Sequence, residues 1–341
     1  MRKCSYNALG GVFDRIALSE KLYIPTDTPS GAEYKQYSSG MEYSKKLNTV
    51  RSAKDFFFPQ TENMMSFKME GRNIEIIDER QEHEDFVIFG VRACDVRSFD
   101  ILDSVFLSDP CDSFYKNRRD HATVVSMACT RPEETCFCNA FGIDASEPAG
   151  DVTCHTDGDT VYFRANTEKG EKFLSLIEAV TEECDDGAAD GIKEKAREAQ
   201  KRLPLAELPL DKFGKGKTKD FFKDEKWASL SQSCLGCGTC TFVCPTCQCY
   251  DIKDFNTGSG VIRFRCWDSC MYSEFTKMAH GNSRLSQLER FRQRFMHKPV
   301  YYPENNGGVY GCVGCGRCLS KCPINMNIVK VMKSLGGEDD E

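Results

Sequence analysis

The sequence lacks several features that would assign it to common functional classes. It has no run of about 18 apolar residues, so no membrane-spanning helix is predicted. Its first residues also lack the uninterrupted apolar region of a secretory signal peptide. Lys and Arg number 45 against 52 Asp and Glu, a net charge of -7, whereas nucleic-acid binders usually carry a dominant basic footprint. These absences predict a cytoplasmic protein that is not a general nucleic-acid binder.

Motifs for substrate chemistry are also absent. There is no Ser-His-Asp set, no paired acid and base, and no dinucleotide-binding fingerprint. The segment Gly216-Lys217-Thr218 looks like the end of a phosphate-binding loop, but Asp211 stands where that motif needs glycine. No substrate site is therefore predicted within this chain, and whether it is an enzyme by itself stays open.

Cysteine, by contrast, is abundant, with 20 residues in a chain of 341. In a reducing compartment, so many cysteines are expected to serve as metal ligands and free thiols rather than disulfides. Residues 234–245 and 312–323 both have the spacing C-x2-C-x2-C-x3-C-P, which is the bacterial ferredoxin pattern for 4Fe-4S clusters. Zinc sites instead use two C-x2-C pairs with a longer spacer between them.

The spacing also predicts how the two clusters share their ligands. Three cysteines two residues apart can wrap three corners of one cube, while the fourth, before the proline, lies where the chain already leaves it. The fourth cysteine of each run therefore binds the other cluster. The predicted ligands are Cys234, Cys237, Cys240 and Cys322 for one cluster, and Cys312, Cys315, Cys318 and Cys244 for the other.

A third group of cysteines follows two predicted strands in the first half of the chain. The continuous apolar runs at 86–91 and 122–128 are typical of buried strands, and Cys94 and Cys129 come just after them. Cys136 and Cys138 follow on the next loop. Open α/β sheets place their sites at such strand ends. These four residues are either small buried apolar side chains or a third metal site, with 4Fe-4S preferred over zinc.

The predicted fold class is an α/β domain followed by a second domain that carries the two cluster runs. Residues 1–215 form the N-terminal domain, and residues 220–341 form the dicluster domain with a subdomain inserted at about 250–305. A helix predicted within 277–298 carries Arg284, Arg290, Arg292 and Arg294 on one face. That face is either solvated or a docking surface for an acidic partner.

Four further cysteines lie close to the first cluster run. They are Cys247, Cys249, Cys266 and Cys270. They either pack beside the clusters as small side chains, or form an extra metal site, or act as a catalytic thiol/disulfide site. The last two options make this chain more than a passive electron carrier.

Several segments resemble a known family. Residues 90–95, 136–138, 244–250 and 267–271, together with both cluster runs, resemble the iron-sulfur subunit of anaerobic sulfite reductase. They are equally similar to the β subunit of cytosolic NiFe sulfhydrogenases. The stretch 278–282 departs from the family pattern, which often has Gly-Gly-His there.

The resemblance implies an electron-transfer subunit of an anaerobic, cytoplasmic oxidoreductase complex. It implies that the dicluster domain is α-helical and ferredoxin-like. It also implies that the N-terminal α/β domain holds a third 4Fe-4S cluster, whose ligands would be Cys94, Cys129, Cys136 and Cys138. It also implies a partner flavoprotein with FAD that exchanges electrons with NAD(P)H or ferredoxin. A separate catalytic subunit, such as a sulfite reductase or a NiFe hydrogenase, would complete the complex.

Overall fold

The computed structural model describes residues 1–80 and 84–337, which form two large β-sheets with helices packed around them. The strands in these residues are β1 (Arg2–Ser5), β2 (Lys21–Thr28), β3 (Gly31–Gln36), β4 (Thr61–Glu70), β5 (Asn73–Asp78), β6 (Phe86–Val91), β7 (Ala122–Met127), β8 (Val152–Thr156), β9 (Thr160–Ala165), β10 (Glu182–Glu183), β11 (Tyr250–Asn256), β12 (Gly260–Trp267), β13 (Lys277–Met278) and β14 (Gly281–Asn282). The helices are α1 (Leu9–Ala17), α2 (Ala93–Phe106), α3 (Ser113–His121), α4 (Glu168–Leu176), α5 (Asp190–Lys201), α6 (Thr218–Phe222), α7 (Lys226–Gln232), α8 (Thr239–Phe242), α9 (Gln287–Met296), α10 (Tyr302–Asn305), α11 (Arg317–Ser320) and α12 (Ile328–Gly336). This mixture of helices and strands confirms the predicted α/β character.

The first sheet has eight strands in the order β10-β1-β9-β8-β7-β6-β2-β3. Its centre is parallel, because β2 pairs with β6, β6 with β7, and β7 with β8 in that sense. Every residue of β6 and β7 is buried, as their continuous apolar runs predict. One face packs against Val12 and Phe13 of α1, and the other packs against Phe99 of α2. The loops after β6 and β7 therefore leave from one end of a rigid, covered sheet.

Two local features of this sheet differ from what the sequence predicts. The alternating segment around 161–164 is typical of an edge strand, but β9 lies inside the sheet because β1 returns to pair with it. Asp95 after the apolar run 86–91 is typical of a helix N-cap, but α2 begins two residues earlier, at Ala93, since Arg92 already has extended backbone and precedes the first turn. Cys94 and Asp95 thus both lie in the first turn of α2, and the Asp95 carboxylate is free for another partner.

The second sheet has four strands in the order β11-β12-β4-β5. It pairs the hairpin of residues 250–267 with residues 61–78, so hydrogen bonds cross the boundary proposed near residue 215. A buried ion pair supports this contact: Arg265 Nε lies 2.8 Å from Glu62 Oε1. Arg118 approaches the other oxygen of Glu62 at 2.8 Å. Burying a guanidinium requires such carboxylate partners, so the hairpin is held firmly against the N-terminal half.

The C-terminal half has short helices around a second apolar core. Helix α9 is shorter than the helix predicted within 277–298, because a capping box of Ser286 and Glu289 starts it at Gln287. Its Phe291 and Phe295 pack with Trp227 of α7 and with α12. No helix in the described part of the chain is long and apolar enough to cross a membrane.

Candidate iron-sulfur centres

Two pockets in the C-terminal half are lined by the cysteines of the two runs. One pocket is lined by Cys234, Cys237, Cys240 and Cys322. The other is lined by Cys244, Cys312, Cys315 and Cys318. Each pocket takes three cysteines from one run and the fourth from the other. The structure thus brings together the two crosswise sets that the spacing predicts.

The backbone of each run turns its N–H groups toward sulfur. The N–H of Gly236 donates to Cys234 Sγ and that of Gly314 donates to Cys312 Sγ, both with N···S distances of 3.5 Å. Burial raises the pKa of Cys312 to about 12, while the Gly314 N–H acts in the opposite direction. A thiolate in this position therefore needs a cationic partner, which the iron of a cluster would supply.

A buried arginine stands between the two pockets. Arg294 on α9 is 2% exposed, and its Nη2 donates to the carbonyl oxygen of Cys240 at 2.8 Å. Its Nε and Nη1 have no hydrogen-bond acceptor among the described residues. Burial acts to lower the pKa of Arg294, but the nearby sulfurs of Cys247, Cys240, Cys244 and Cys318 outweigh it and hold that pKa well above its usual value. A buried guanidinium with unpartnered N–H groups fits an anionic, sulfide-rich group on either side.

This position corrects the expectation that the arginine-bearing face of α9 is solvated. Arg292 does lie outside, where its guanidinium stacks on the Phe222 ring at 3.8 Å. Arg294 points inward, because it follows Phe291 by three residues and shares the buried side of the helix. The three-residue spacing from Phe291 to Arg294 is the signal in the sequence that could have distinguished this buried arginine from the others on the helix.

The third cysteine group comes together at the end of the large sheet. Cys94, Cys129 and Cys138 are buried in one apolar cluster of side chains that also contains Cys315. Burial, with a smaller contribution from the nearby Cys129 sulfur, raises the pKa of Cys136 and of Cys138 to about 12. Four buried thiols that lie near one another fit the ligand set of a cluster.

The loop that carries Cys136 and Cys138 is pressed against the second cluster run. The Phe137 N–H donates to the carbonyl oxygen of Gly314 at 2.9 Å. Gly314 has a φ of +59°, and a Cβ on it would lie 2.4 Å from the Phe137 oxygen. At Gly316 a Cβ would lie 2.6 Å from the Thr135 oxygen. Only glycine permits this approach, which places the third cysteine group directly beside the second pocket.

Of the remaining four candidate cysteines, Cys247, Cys249 and Cys270 lie near one another, whereas Cys266 does not join them. The Cys270 thiol forms a hydrogen bond with Cys249, and the Cys247 thiol forms one with Cys244. Cys266 is separate, with Lys253, Asp251 and Asp268 as its charged neighbours. Across residues 1–80 and 84–337, no group of three or more His, Cys, Asp or Glu side chains converges on a single metal ion.

Two other buried cations near these cysteines were not predicted from the sequence. Lys54 Nζ donates to the carbonyl oxygens of Cys244 and Cys247 at 3.1 and 3.0 Å. Lys298 Nζ donates to the carbonyl oxygen of Thr246 at 3.0 Å. Lys54 comes from a segment 190 residues earlier, and nothing in its local sequence marks it as buried.

The comparisons with known proteins agree with this geometry. Residues 233–326 match the family described as a 4Fe-4S dicluster domain, so the chain is an iron-sulfur protein of the dicluster class. It is 32% identical over 324 residues to the sulfhydrogenase 2 subunit beta of Pyrococcus furiosus, a match that covers 94% of this chain and 93% of the relative. The chain therefore belongs to the sulfhydrogenase β-subunit family. This confirms the family that the sequence motifs indicate.

Proposed function

We propose that this chain is the electron-transfer subunit of a multi-subunit oxidoreductase and holds three 4Fe-4S clusters in a row. The observation that carries the proposal is the contact between the three cysteine groups. Cys315 belongs to the second pocket and also packs among the third group. Cys244 and Cys322 each cross from one run to the other, which couples the second pocket to the first.

The ligand assignment follows from these groups. Cys234, Cys237, Cys240 and Cys322 would hold the first cluster, Cys244, Cys312, Cys315 and Cys318 the second, and Cys94, Cys129, Cys136 and Cys138 the third. When bound, the clusters supply one-electron redox chemistry at low potential. The protein sets their potentials through N–H donation to sulfur, through burial, and through the charge of Arg294.

The complex would contain at least two other kinds of subunit. The relative is named as a subunit of a sulfhydrogenase, which supports a hydrogenase as the catalytic partner of this chain. We further propose an FAD-containing flavoprotein that exchanges electrons with NAD(P)H, because nothing in this chain's sequence is typical of nucleotide binding. Anaerobic purification of the native complex, followed by identification of its subunits, tests both partners. Isolation of the chain alone, or with a sulfite reductase, would contradict the hydrogenase assignment.

Metal analysis provides the direct test of the cluster count. Anaerobically isolated protein is expected to contain about twelve iron atoms and as many labile sulfides per chain, because three cubes carry four of each. Reduction with dithionite should then give paramagnetic resonance signals of interacting 4Fe-4S clusters. A content of about eight iron atoms per chain would rule out the third cluster, and a content of zinc with little iron would overturn the whole proposal.

The position of Arg294 gives a second prediction. Arg294→Met is expected to lower the midpoint potential of the first and second clusters, because the positive charge that favours the reduced state is removed. A unit charge at about 8 Å is worth about 2 kcal/mol at an effective dielectric constant of about 20. For one electron this corresponds to roughly 90 mV. Redox titration followed by paramagnetic resonance measures the shift.

The control is Arg292→Met on the exposed side of the same helix. It removes the same charge from the stack on Phe222 and should change the potentials only slightly, since solvent screens it. Equal shifts in both variants would show that net charge, rather than the buried position of Arg294, sets the potentials.

A further inference from the structure

Cys249 and Cys270 meet at the base of the β11-β12 hairpin. The antiparallel register pairs Tyr250 with Trp267, so the residues just outside this pair also face each other. The Asp268 N–H donates to the Cys249 carbonyl oxygen at 3.0 Å, and Cys270 follows two residues later. The Cys270 thiol donates a hydrogen bond to the Cys249 sulfur. The backbone thus fixes two thiols in contact at the point where the hairpin leaves the cluster region.

This pair is connected to the second pocket through Cys247. The Cys247 thiol forms a hydrogen bond with the sulfur of Cys244, and Cys244 lines that pocket. Cys247 in turn lies close enough to Cys270 to influence its ionisation. Lys54 holds the intervening backbone by donating to the carbonyl oxygens of Cys244 and Cys247. The sulfur atoms of Cys247, Cys249 and Cys270 therefore lie near one another, beside the Cys244 sulfur of the cluster site.

The surroundings favour negative charge on one member of the pair. Lys298 and Arg294 are both buried, and both lower the pKa of Cys249. The hydrogen bond from Cys270 is the largest cause, and together these effects bring the pKa of Cys249 to about 7. The same bond and burial raise the pKa of Cys270 far above its usual value. A thiolate beside a protonated thiol is the arrangement found in dithiol redox pairs.

We propose that Cys249 and Cys270 form a redox-active thiol–disulfide couple that exchanges electrons with the neighbouring clusters. In the reductive direction the S–S bond breaks, two electrons arrive singly from the clusters, and two protons from solvent complete two thiols. In the oxidative direction the two thiols release two protons and two electrons, and the S–S bond forms. The couple rests on the proposed function, because the relay supplies and removes its electrons. It would give a one-electron relay a place to store two electrons.

Differential alkylation at controlled potential tests the couple in the whole, cluster-loaded protein. Samples are poised anaerobically at a series of potentials, alkylated with light iodoacetamide, reduced, alkylated with heavy iodoacetamide and digested for mass spectrometry. The light label on Cys249 and Cys270 should rise together as the potential falls. Their thiol-to-disulfide ratio should change about tenfold for each 30 mV, as expected for two electrons. Exposed Cys111 and half-buried Cys266 should carry light label throughout.

Variants separate a couple from two independent thiols. In Cys270→Ser, Cys249 should carry light label at every potential, with the iron content unchanged. Cys266→Ser is the matched control on the same hairpin and should leave the two-electron transition intact. Light labelling of Cys249 at every potential in the unsubstituted protein would overturn the couple. Absence of the light label from Cys249 at every potential, together with about sixteen iron atoms per chain, would overturn the couple in favour of a fourth cluster. Failure of the relay itself is distinguishable, because the protein would then lack labile sulfide whatever its labelling.

Discussion

Replacement of Cys138 by serine is expected to remove about four of about twelve iron atoms and the matching labile sulfide, because the proposed third cluster loses one of its four ligands. Cys138 is buried in the apolar cluster with Cys94, Cys129 and Cys315. The two C-terminal clusters should persist, since all eight of their cysteines remain. Iron analysis and paramagnetic resonance of the dithionite-reduced protein measure the loss.

Cys154→Ser provides the matched control for this variant. Cys154 is also fully buried in the N-terminal sheet, and burial raises its pKa well above the usual value. It lies in the core with Val125 and Phe163, outside the group of four. Serine there should cost some stability and leave the iron content unchanged. Equal iron losses in the two variants would point to general unfolding, and no loss in Cys138→Ser would remove Cys138 from the ligand set.

The cysteine runs are the part of the site that the sequence reveals most directly. Within each run the ligands are separated by two or three residues, so the local backbone alone decides their arrangement. Prediction of the third cysteine group also requires a prediction of the sheet, because Cys94 and Cys129 are distant in sequence. That prediction is possible because β6 and β7 are continuous apolar runs, and neighbouring parallel strands end at the same edge of a sheet.

Contacts between distant segments could not be predicted in this way. The sequence predicts that the hairpin at 250–267 belongs to an inserted subdomain. In the structure this hairpin pairs with β4, and an ion pair between Arg265 and Glu62 holds it there. Lys54 likewise reaches the cluster region only through the folded arrangement of the N-terminal half. Such contacts depend on the complementarity of surfaces far apart in the chain, which local periodicity does not encode. Gly314 and Gly316 are a partial signal in the sequence, because glycine within a cluster run allows another backbone to approach closely.

Asp95→Asn is expected to destabilise the junction between the third cysteine group and the second cluster run by about 3 to 5 kcal/mol, because it leaves a buried charge unpaired. The Asp95 carboxylate is 1% exposed and accepts from Arg317 Nη2 at 2.7 Å. Arg317 lies between Cys315 and Cys318, and its Nε also donates to the Thr49 carbonyl oxygen at 2.9 Å. Asparagine keeps the shape of the side chain but not its charge. Anaerobic calorimetry should show a thermal midpoint lower by roughly 10 °C.

A double substitution distinguishes a charge effect from simple loss of packing. Asp95→Leu combined with Arg317→Met removes both charges, and apolar replacement of a buried pair is often neutral, so most of the lost stability should return. The exposed pair of Arg97 and Asp100 gives the control, since Asp100→Asn should change stability by less than about 1 kcal/mol. If the ion pair only stabilises the fold, the double variant will retain all its iron. If it also aligns Cys94 with Cys315, the potential of the third cluster will shift although stability is restored.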